Sequence, residues 1–193
     1  MKSLRPAAPA LTERVETPNR TPMSLLPIVI HPDPRLKKVC APVEDPKIMA
    51  GLIDDMFATM YDAPGIGLAA PQVGKNARLL VMDCSDKDAE PEPLAMINPE
   101  ILDVSQETND HEEGCLSIPD QFGWVTRPKE VTVRWLSPEA EEMERRFDGL
   151  WATCVQHEID HLNGKLFIDH LGAVRRQLIT QKMKKLKREL AKG

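Results

Sequence analysis

The sequence predicts an α+β fold: mixed, mainly antiparallel sheets packed around a central helix, with an amphipathic helix at the C-terminal end. Three observations predict it. A helical hydrophobic period appears near the start and again at the end of the chain. Short β-rich segments, divided by Pro, Gly and Asp, are grouped between them. One largely apolar helix carries two histidines a single turn apart. Strands grouped in the middle argue against the regular alternation of an α/β protein.

Residues 1–22 are rich in Pro, Thr and Ala without a hydrophobic period, and read as a disordered extension ahead of a single catalytic domain over 23–193. Met23 is a second candidate start. Residues 24–30 read as a short strand or extended arm. Over 47–61, Ile48, Leu52, Ile53, Met56, Phe57 and Met60 fall on one stripe, which predicts a helix. Pro64 and Gly65 end it. Strands are expected at 77–83, 94–97, 100–106, 122–126, 130–136 and 142–147. Asp148 is the expected N-cap of a helix over about 150–162, closed by Asn163 and Gly164. The last helix runs from about 171 to 191 with Leu171, Val174, Leu178, Ile179, Met183, Leu186 and Leu190 inward.

Composition bounds the function classes. Charged residues make up 28% of the 193 and apolar residues 41%, the balance of an ordinary globular protein. No apolar run approaches the roughly 20 residues needed to cross a bilayer, so a membrane protein is not expected. The first residues lack the apolar core of a secretory signal, which makes the cytoplasm the expected compartment. Cys40, Cys84, Cys115 and Cys154 are widely spaced with no CxxC pair, and read as reduced thiols. The net charge of −5 hides an asymmetry. From Arg175 onward there are eight Lys or Arg against one Glu. That end suits an anionic partner or a solvated helix face.

The strongest local signal is His157-Glu158-Ile159-Asp160-His161. Histidines at i and i+4 share one helix face, so both rings can reach one ion. Glu158 stands beside them as a candidate general base for a metal-dependent hydrolase. The segment is largely apolar, with Cys154, Val155, Ile159 and Leu162, and buried imidazoles and carboxylates are costly unless paired or ligated. A third ligand must come from elsewhere. Downstream the chain offers Asp169, His170 and Glu189, as a zinc endopeptidase would use. Upstream it offers Cys115 in Glu113-Gly114-Cys115-Leu116-Ser117, whose thiolate is a strong ligand. A further segment, Gly65-Ile66-Gly67-Leu68-Ala69-Ala70-Pro71-Gln72, follows a helix rather than a strand, which excludes a dinucleotide fingerprint. A loop without bulky groups suits close approach of a substrate backbone.

In this order and spacing the three segments resemble the signature motifs of the peptide deformylases, GIGLAAPQ, EGCLS and HEIDH, over a span from Leu25 to at least Leu171. The basic final helix further resembles the bacterial type I members. The resemblance implies removal of the formyl group from the N-terminal methionine of new polypeptides. It assigns Cys115, His157 and His161 as ligands of one divalent metal ion, natively Fe(II), with zinc, nickel or cobalt as substitutes. It assigns Glu158 as general base, and the Gln72 side chain and Leu116 backbone N–H as donors to the formyl oxygen. Gly67 is expected to pair with substrate backbone. Ile66, Leu150 and Cys154 are expected to form the methionine pocket, with His111 and Thr153 at positions that are often aliphatic in relatives. Glu113 is expected to brace the Cys115 loop through Arg127. The implied partners are a nascent formyl-Met peptide and, through the basic helix, the ribosome; a monomer is expected.

Overall fold

The computed structural model describes residues 24–192. The expected extension over 1–22 lies outside the described residues. Three helices are α1 (Ala50–Asp62), α2 (Gly149–Leu162) and α3 (Ala173–Leu190). Seven strands are β1 (Gly67–Ala69), β2 (Leu79–Met82), β3 (Leu94–Val104), β4 (Thr108–Cys115), β5 (Ile118–Pro128), β6 (Glu130–Leu136) and β7 (Glu142–Asp148). A five-stranded sheet has the order β1-β2-β3-β6-β7, and β4-β5 form a separate hairpin. Every pairing is antiparallel. The mixed, mainly antiparallel α+β expectation therefore holds.

Alternation along β2 explains how the sheet carries helices on both faces. Leu79 and Val81 join Ile53, Met56 and Met60 of α1 in one cluster. Leu80 and Met82 join Cys154, Val155, Ile159 and Leu162 of α2 in another. A strand covered on both sides needs apolar residues at every position, and all four here are buried. The α2 cluster continues through Val133, Trp135 and Phe147 of β6 and β7. Each fully buried large side chain contributes about 1.5–3 kcal/mol, so the two clusters hold α2 firmly. A third cluster joins Ile118 and Val125 of the hairpin to Leu36, Phe167, Ile179 and Met183.

Several expectations change in detail. The first helix opens with a 3-10 turn over Pro46–Met49, where the 3.6-residue period does not apply, and Ile48 is exposed there. The arm at 24–30 forms no strand. It is extended, with the Val29 N–H on the Gln72 carbonyl at 2.7 Å and the His31 N–H on the Ser117 carbonyl at 2.9 Å. The expected strands at 94–97 and 100–106 are one strand interrupted by a register shift between Ile97 and Glu100. Asn98, at φ +52°, holds the irregularity by bonding the Val43 N–H and carbonyl, each at 2.8 Å. Asp148 precedes α2, but its side chain makes no capping bond; Gly149, at φ +52°, turns the chain from β7 into the helix. On α3 only Ile179 and Met183 are buried, while Val174, Leu178 and Leu190 are exposed. The hairpin cluster meets a narrow stripe of that helix rather than a wide face. Among the described residues no helix is long and apolar enough to cross a membrane.

Candidate metal centre and active site

Three elements bring the site together. The helix α2 carries His157, Glu158 and His161, all buried. The hairpin ends at Cys115, and a 3-10 turn over Ala70–Val73 follows the edge strand β1 and carries Gln72. Sγ of Cys115 lies 3.2 Å from Nε2 of His161. One donor atom each of Cys115, His157 and His161 can be chosen so that all lie within 4.8 Å of one another. Among the described residues this is the one group of His, Cys, Asp or Glu with such spacing. The downstream alternatives do not join it. His170 bonds Asp160 at 2.8 Å, and Asp169 is paired with Lys37.

The donor set fits a divalent ion. One sulfur and two imidazoles suit Fe(II), Co, Ni or Zn, and their softness excludes Mg or Ca. Nδ1 of His157 is engaged by Glu113 Oε2 at 2.8 Å, so Nε2 is the nitrogen left for a metal. Burial works against a charge on His157, but the Cys115 and Glu113 contacts and the Glu158 charge outweigh it and push its pKa up. Burial, followed by the neighbouring His157 charge, pushes His161 well down.

The expected Glu113–Arg127 pair is present and larger than expected. Arg127 meets Glu113 through Nε at 2.5 Å and Nη2 at 3.1 Å, and meets Asp160 through Nη1 at 2.9 Å. A buried guanidinium with two carboxylates is fully paired, which is what makes its burial tolerable. Burial alone would raise the Glu113 pKa; the bonds from His157 and Arg127 reverse this and hold it at about 2. Glu113 is therefore a fixed anion that orients His157.

Glu158 contrasts with it. Its Oε2 is buried and bonds no other described residue. Burial, partly offset by His157, raises its pKa to about 7. Oε1 packs against Gly67, where an added Cβ would stand 2.5 Å from it.

Gln72 is oriented by its neighbours. The Ala69 N–H can only donate, and it meets Oε1 at 2.8 Å, so Nε2 faces the cleft. Nε2 lies 3.4 Å from Cys115 Sγ and 3.3 Å from the Ser117 hydroxyl. Ser117 and Asp160 were not singled out in the sequence. No local pattern marks them, because each acts through a residue distant in the chain.

The edge strand β1 is paired only with β2. Ala69 sends its N–H to Gln72 rather than to β2, and alternation turns the N–H and carbonyl of Gly67 the same way, toward the free edge. A cleft of about 720 Å³ opens here, lined by Ile66, Gly67, Gln72, Cys115, Leu116, Leu150, Cys154, His157 and Glu158 among others. Every site residue expected from the sequence except the fully buried His161 lines this cleft. A bond with the Cys84 thiol, together with burial, keeps Cys154 protonated, so it behaves as an apolar wall.

With this geometry established, comparison with known proteins is decisive. The sequence model of polypeptide deformylase matches residues 25–177. The chain belongs to the polypeptide deformylase family. A peptide deformylase of Mesorhizobium japonicum is 49% identical over 172 residues, covering 89% of this chain and 98% of that protein. A crystal structure of a peptide deformylase from Legionella pneumophila aligns with a TM-score of 0.80 at 44% identity, covering 88% of this chain and 99% of that one. The Ehrlichia chaffeensis peptide deformylase in complex with actinonin aligns at 0.82 and 42% identity, covering 86% and 99%. As a deformylase, the chain is a metal-dependent hydrolase that removes the N-formyl group from the formylmethionine of nascent polypeptides and releases formate.

Proposed function

We propose that deformylation here uses Glu158 as general base, with Gln72 Nε2 and the Leu116 backbone N–H as donors to the formyl oxygen. Cys115, His157 and His161 hold one ion, Fe(II) in the native protein, replaceable by zinc, nickel or cobalt. The observation that carries this reading is convergence. Three ligand atoms within 4.8 Å of one another stand beside a buried carboxylate poised at about 7 and an amide aimed at the same place.

The ion, when bound, supplies a Lewis acid that polarises the formyl oxygen and lowers the pKa of a water. The chain's own residues do the rest. Glu113 holds His157 Nδ1 and so presents Nε2. Glu158 accepts a proton from the attacking water and returns it to the departing amine, and a proton affinity near neutrality suits both transfers. Gln72 Nε2 and the Leu116 N–H meet the negative charge that develops on the formyl oxygen; losing one such donor costs roughly 10²–10³ in kcat. The free edge at Gly67 pairs with peptide backbone as an added strand. Ile66, Leu150 and Cys154 receive the methionine side chain. The protein acts as a monomeric cytoplasmic enzyme with its catalytic domain over 23–193.

The test is formate release from formyl-Met-Ala-Ser by anaerobically purified, metal-loaded protein, with casein as control and Glu158→Ala as blank. No formate overturns the reading. Cys115→Ser should lose or exchange its metal; unchanged metal content and activity refute the ligand role. Anaerobic metal analysis that finds no iron refutes Fe(II).

We also propose that α3 docks on the ribosome. Arg175, Lys182, Lys184, Lys185 and Arg188 are exposed along it and suit RNA phosphates. Because α3 buries Ile179 and Met183, charge-neutral variants are a cleaner test than truncation. Lys184→Gln with Lys185→Gln and Arg188→Gln should abolish co-sedimentation with ribosomes while deformylation continues; unchanged co-sedimentation refutes docking.

A further inference from the structure

Ile66, His111, Leu150, Thr153 and Cys154, the positions read above for the methionine side chain, all line the cleft. His111 has no role in the reading above, and its place follows from two elements that keep step. On β4, Cys115 meets His161, and Glu113, two residues earlier, meets His157. Two strand residues advance about 6.7 Å, and four helical residues about 6 Å. One more step back along both elements sets His111 abreast of Thr153. The register shift in the hairpin lies between Glu113 and Cys115, so the alternation from His111 to Glu113 is regular.

The other polar side chains among these five are committed. The Thr153 hydroxyl donates to the Gly149 carbonyl at 3.3 Å, and the Cys154 thiol donates to the Ile66 carbonyl at 3.6 Å. The His111 side chain makes no hydrogen bond to another described residue. An imidazole carries at least one N–H in either protonation state. Its ring is thus the free donor among these five residues, the others being apolar or already bonded.

We infer that His111 determines specificity by donating to the sulfoxide oxygen of an oxidised N-terminal methionine, so that the chain deformylates N-formylmethionine-sulfoxide termini as well as N-formylmethionine termini. The inference rests on the deformylase reading of the same cleft. A sulfoxide keeps the unbranched shape of methionine and adds one strong acceptor. Buried in a wholly apolar pocket that oxygen would be left unpaired, at a cost in binding. A donor on the wall removes the cost. Sulfur is neither oxidised nor reduced in the step: water adds across the same formyl C–N bond, and formate and the free amine leave.

The experiment compares formyl-Met-Ala-Ser with formyl-Met(O)-Ala-Ser in wild type, His111→Leu, His111→Val and His111→Gln, and reads the ratio of the two kcat/KM values. Calorimetry with the products Met-Ala-Ser and Met(O)-Ala-Ser gives a binding ratio independent of turnover. Both ratios should fall about tenfold in the Leu and Val variants, the worth of one hydrogen bond, and recover in the Gln variant, whose amide donates. The second aliphatic variant covers a loss of folding in the first. Equal ratios in wild type and the aliphatic variants overturn the inference, as does a Gln variant that behaves like Leu. Absence of formate from formyl-Met-Ala-Ser in wild type would overturn the deformylase reading itself; formate with an unchanged ratio overturns only the role of His111.

Discussion

Replacing Gly67 by alanine sets a methyl carbon 2.5 Å from Oε1 of Glu158 and 2.7 Å from Sγ of Cys154. Ordinary contact begins at 3.4 Å, so the carboxylate or β1 must retreat by the difference, about 0.9 Å. Neither neighbour has room: Glu158 is 4% exposed and Cys154 5%, and α2 is packed against the sheet by Leu80, Met82 and Met96. Overpacking of this kind costs about 1–3 kcal/mol. At roughly 2–4 °C per kcal/mol for a chain of this length, the melting temperature should fall by about 2–12 °C. Activity should fall further, because a base displaced by about 1 Å loses on the order of 10²-fold in rate. The assay is formate release from a formyl-Met peptide, with thermal melts and metal content measured on the same preparation. Metal content should be kept, since no ligand atom is among the nearest neighbours of the added carbon. Gly51→Ala is the matched control: nothing lies within 4 Å of its added carbon, it is exposed on α1, and it should stabilise by up to about 1 kcal/mol without touching the rate. A Gly67→Ala protein with wild-type melting and wild-type formate release would refute the reasoning.

The remaining predictions concern charge. Glu158→Gln should abolish formate release, since a neutral amide accepts no proton, while stabilising the metal-free protein at high pH. The sign follows from its raised pKa: the folded carboxyl titrates at about 7 against 4.5 unfolded, so burial of the anion destabilises the fold above pH 7 and has no effect below about 4.5. Complete burial makes the gain on the order of 3 kcal/mol at pH 8, read as a difference between urea melts at pH 8 and pH 4; equal differences at both would refute it. In the metal-loaded wild type a nearby cation favours the anion, so the acid limb of kcat/KM should fall below pH 7, and a limb above pH 7 would contradict this. Arg127→Met should cost about 3–5 kcal/mol by leaving Glu113 buried without its cation. It should also weaken metal binding by about 10–100-fold in chelator competition, because Glu113 then holds His157 less firmly; unchanged affinity would refute the bracing role.

How much of the fold was legible depended on apolar content. The strand expected at 130–136 matches β6, whose Val131, Val133 and Trp135 alternate inward. The α2 helix was equally plain. The strand β4 was not, because Thr108-Asn109-Asp110-His111-Glu112-Glu113 carries no hydrophobic alternation. Its inward positions are filled by groups that serve the site rather than the core. The edge strand β1 was read as a loop, since three residues of glycine, leucine and alanine have no measurable period. On α3 the apolar stripe was visible, but its burial was overstated, because periodicity records which face is apolar and not whether a partner covers it.

The site was legible to the extent that its chemistry is local. Two histidines and a glutamate on one helix announce themselves; the route by which Gln72 and Cys115 reach them does not, because chain separation carries no distance. What the structure adds is a division of labour within one short helix. His157 lines the cleft, His161 turns its Nε2 to Cys115, Glu158 faces Gly67, Ile159 joins the core, and Asp160 turns to Arg127 and His170. That division also bears on charge. Around these groups the carboxylates Glu113 and Asp160 meet the guanidinium of Arg127, and Glu158 bonds neither it nor another described residue through its buried Oε2. Glu158 is the carboxylate left to take a proton, because burial raises its pKa to about 7. Glu113 cannot take that place, because Arg127 and His157 already hold its carboxylate at about 2. The two carboxylates thus differ by about five pKa units, because burial raises Glu158 while His157 and Arg127 hold Glu113 down, and that difference is what frees one of them to move protons.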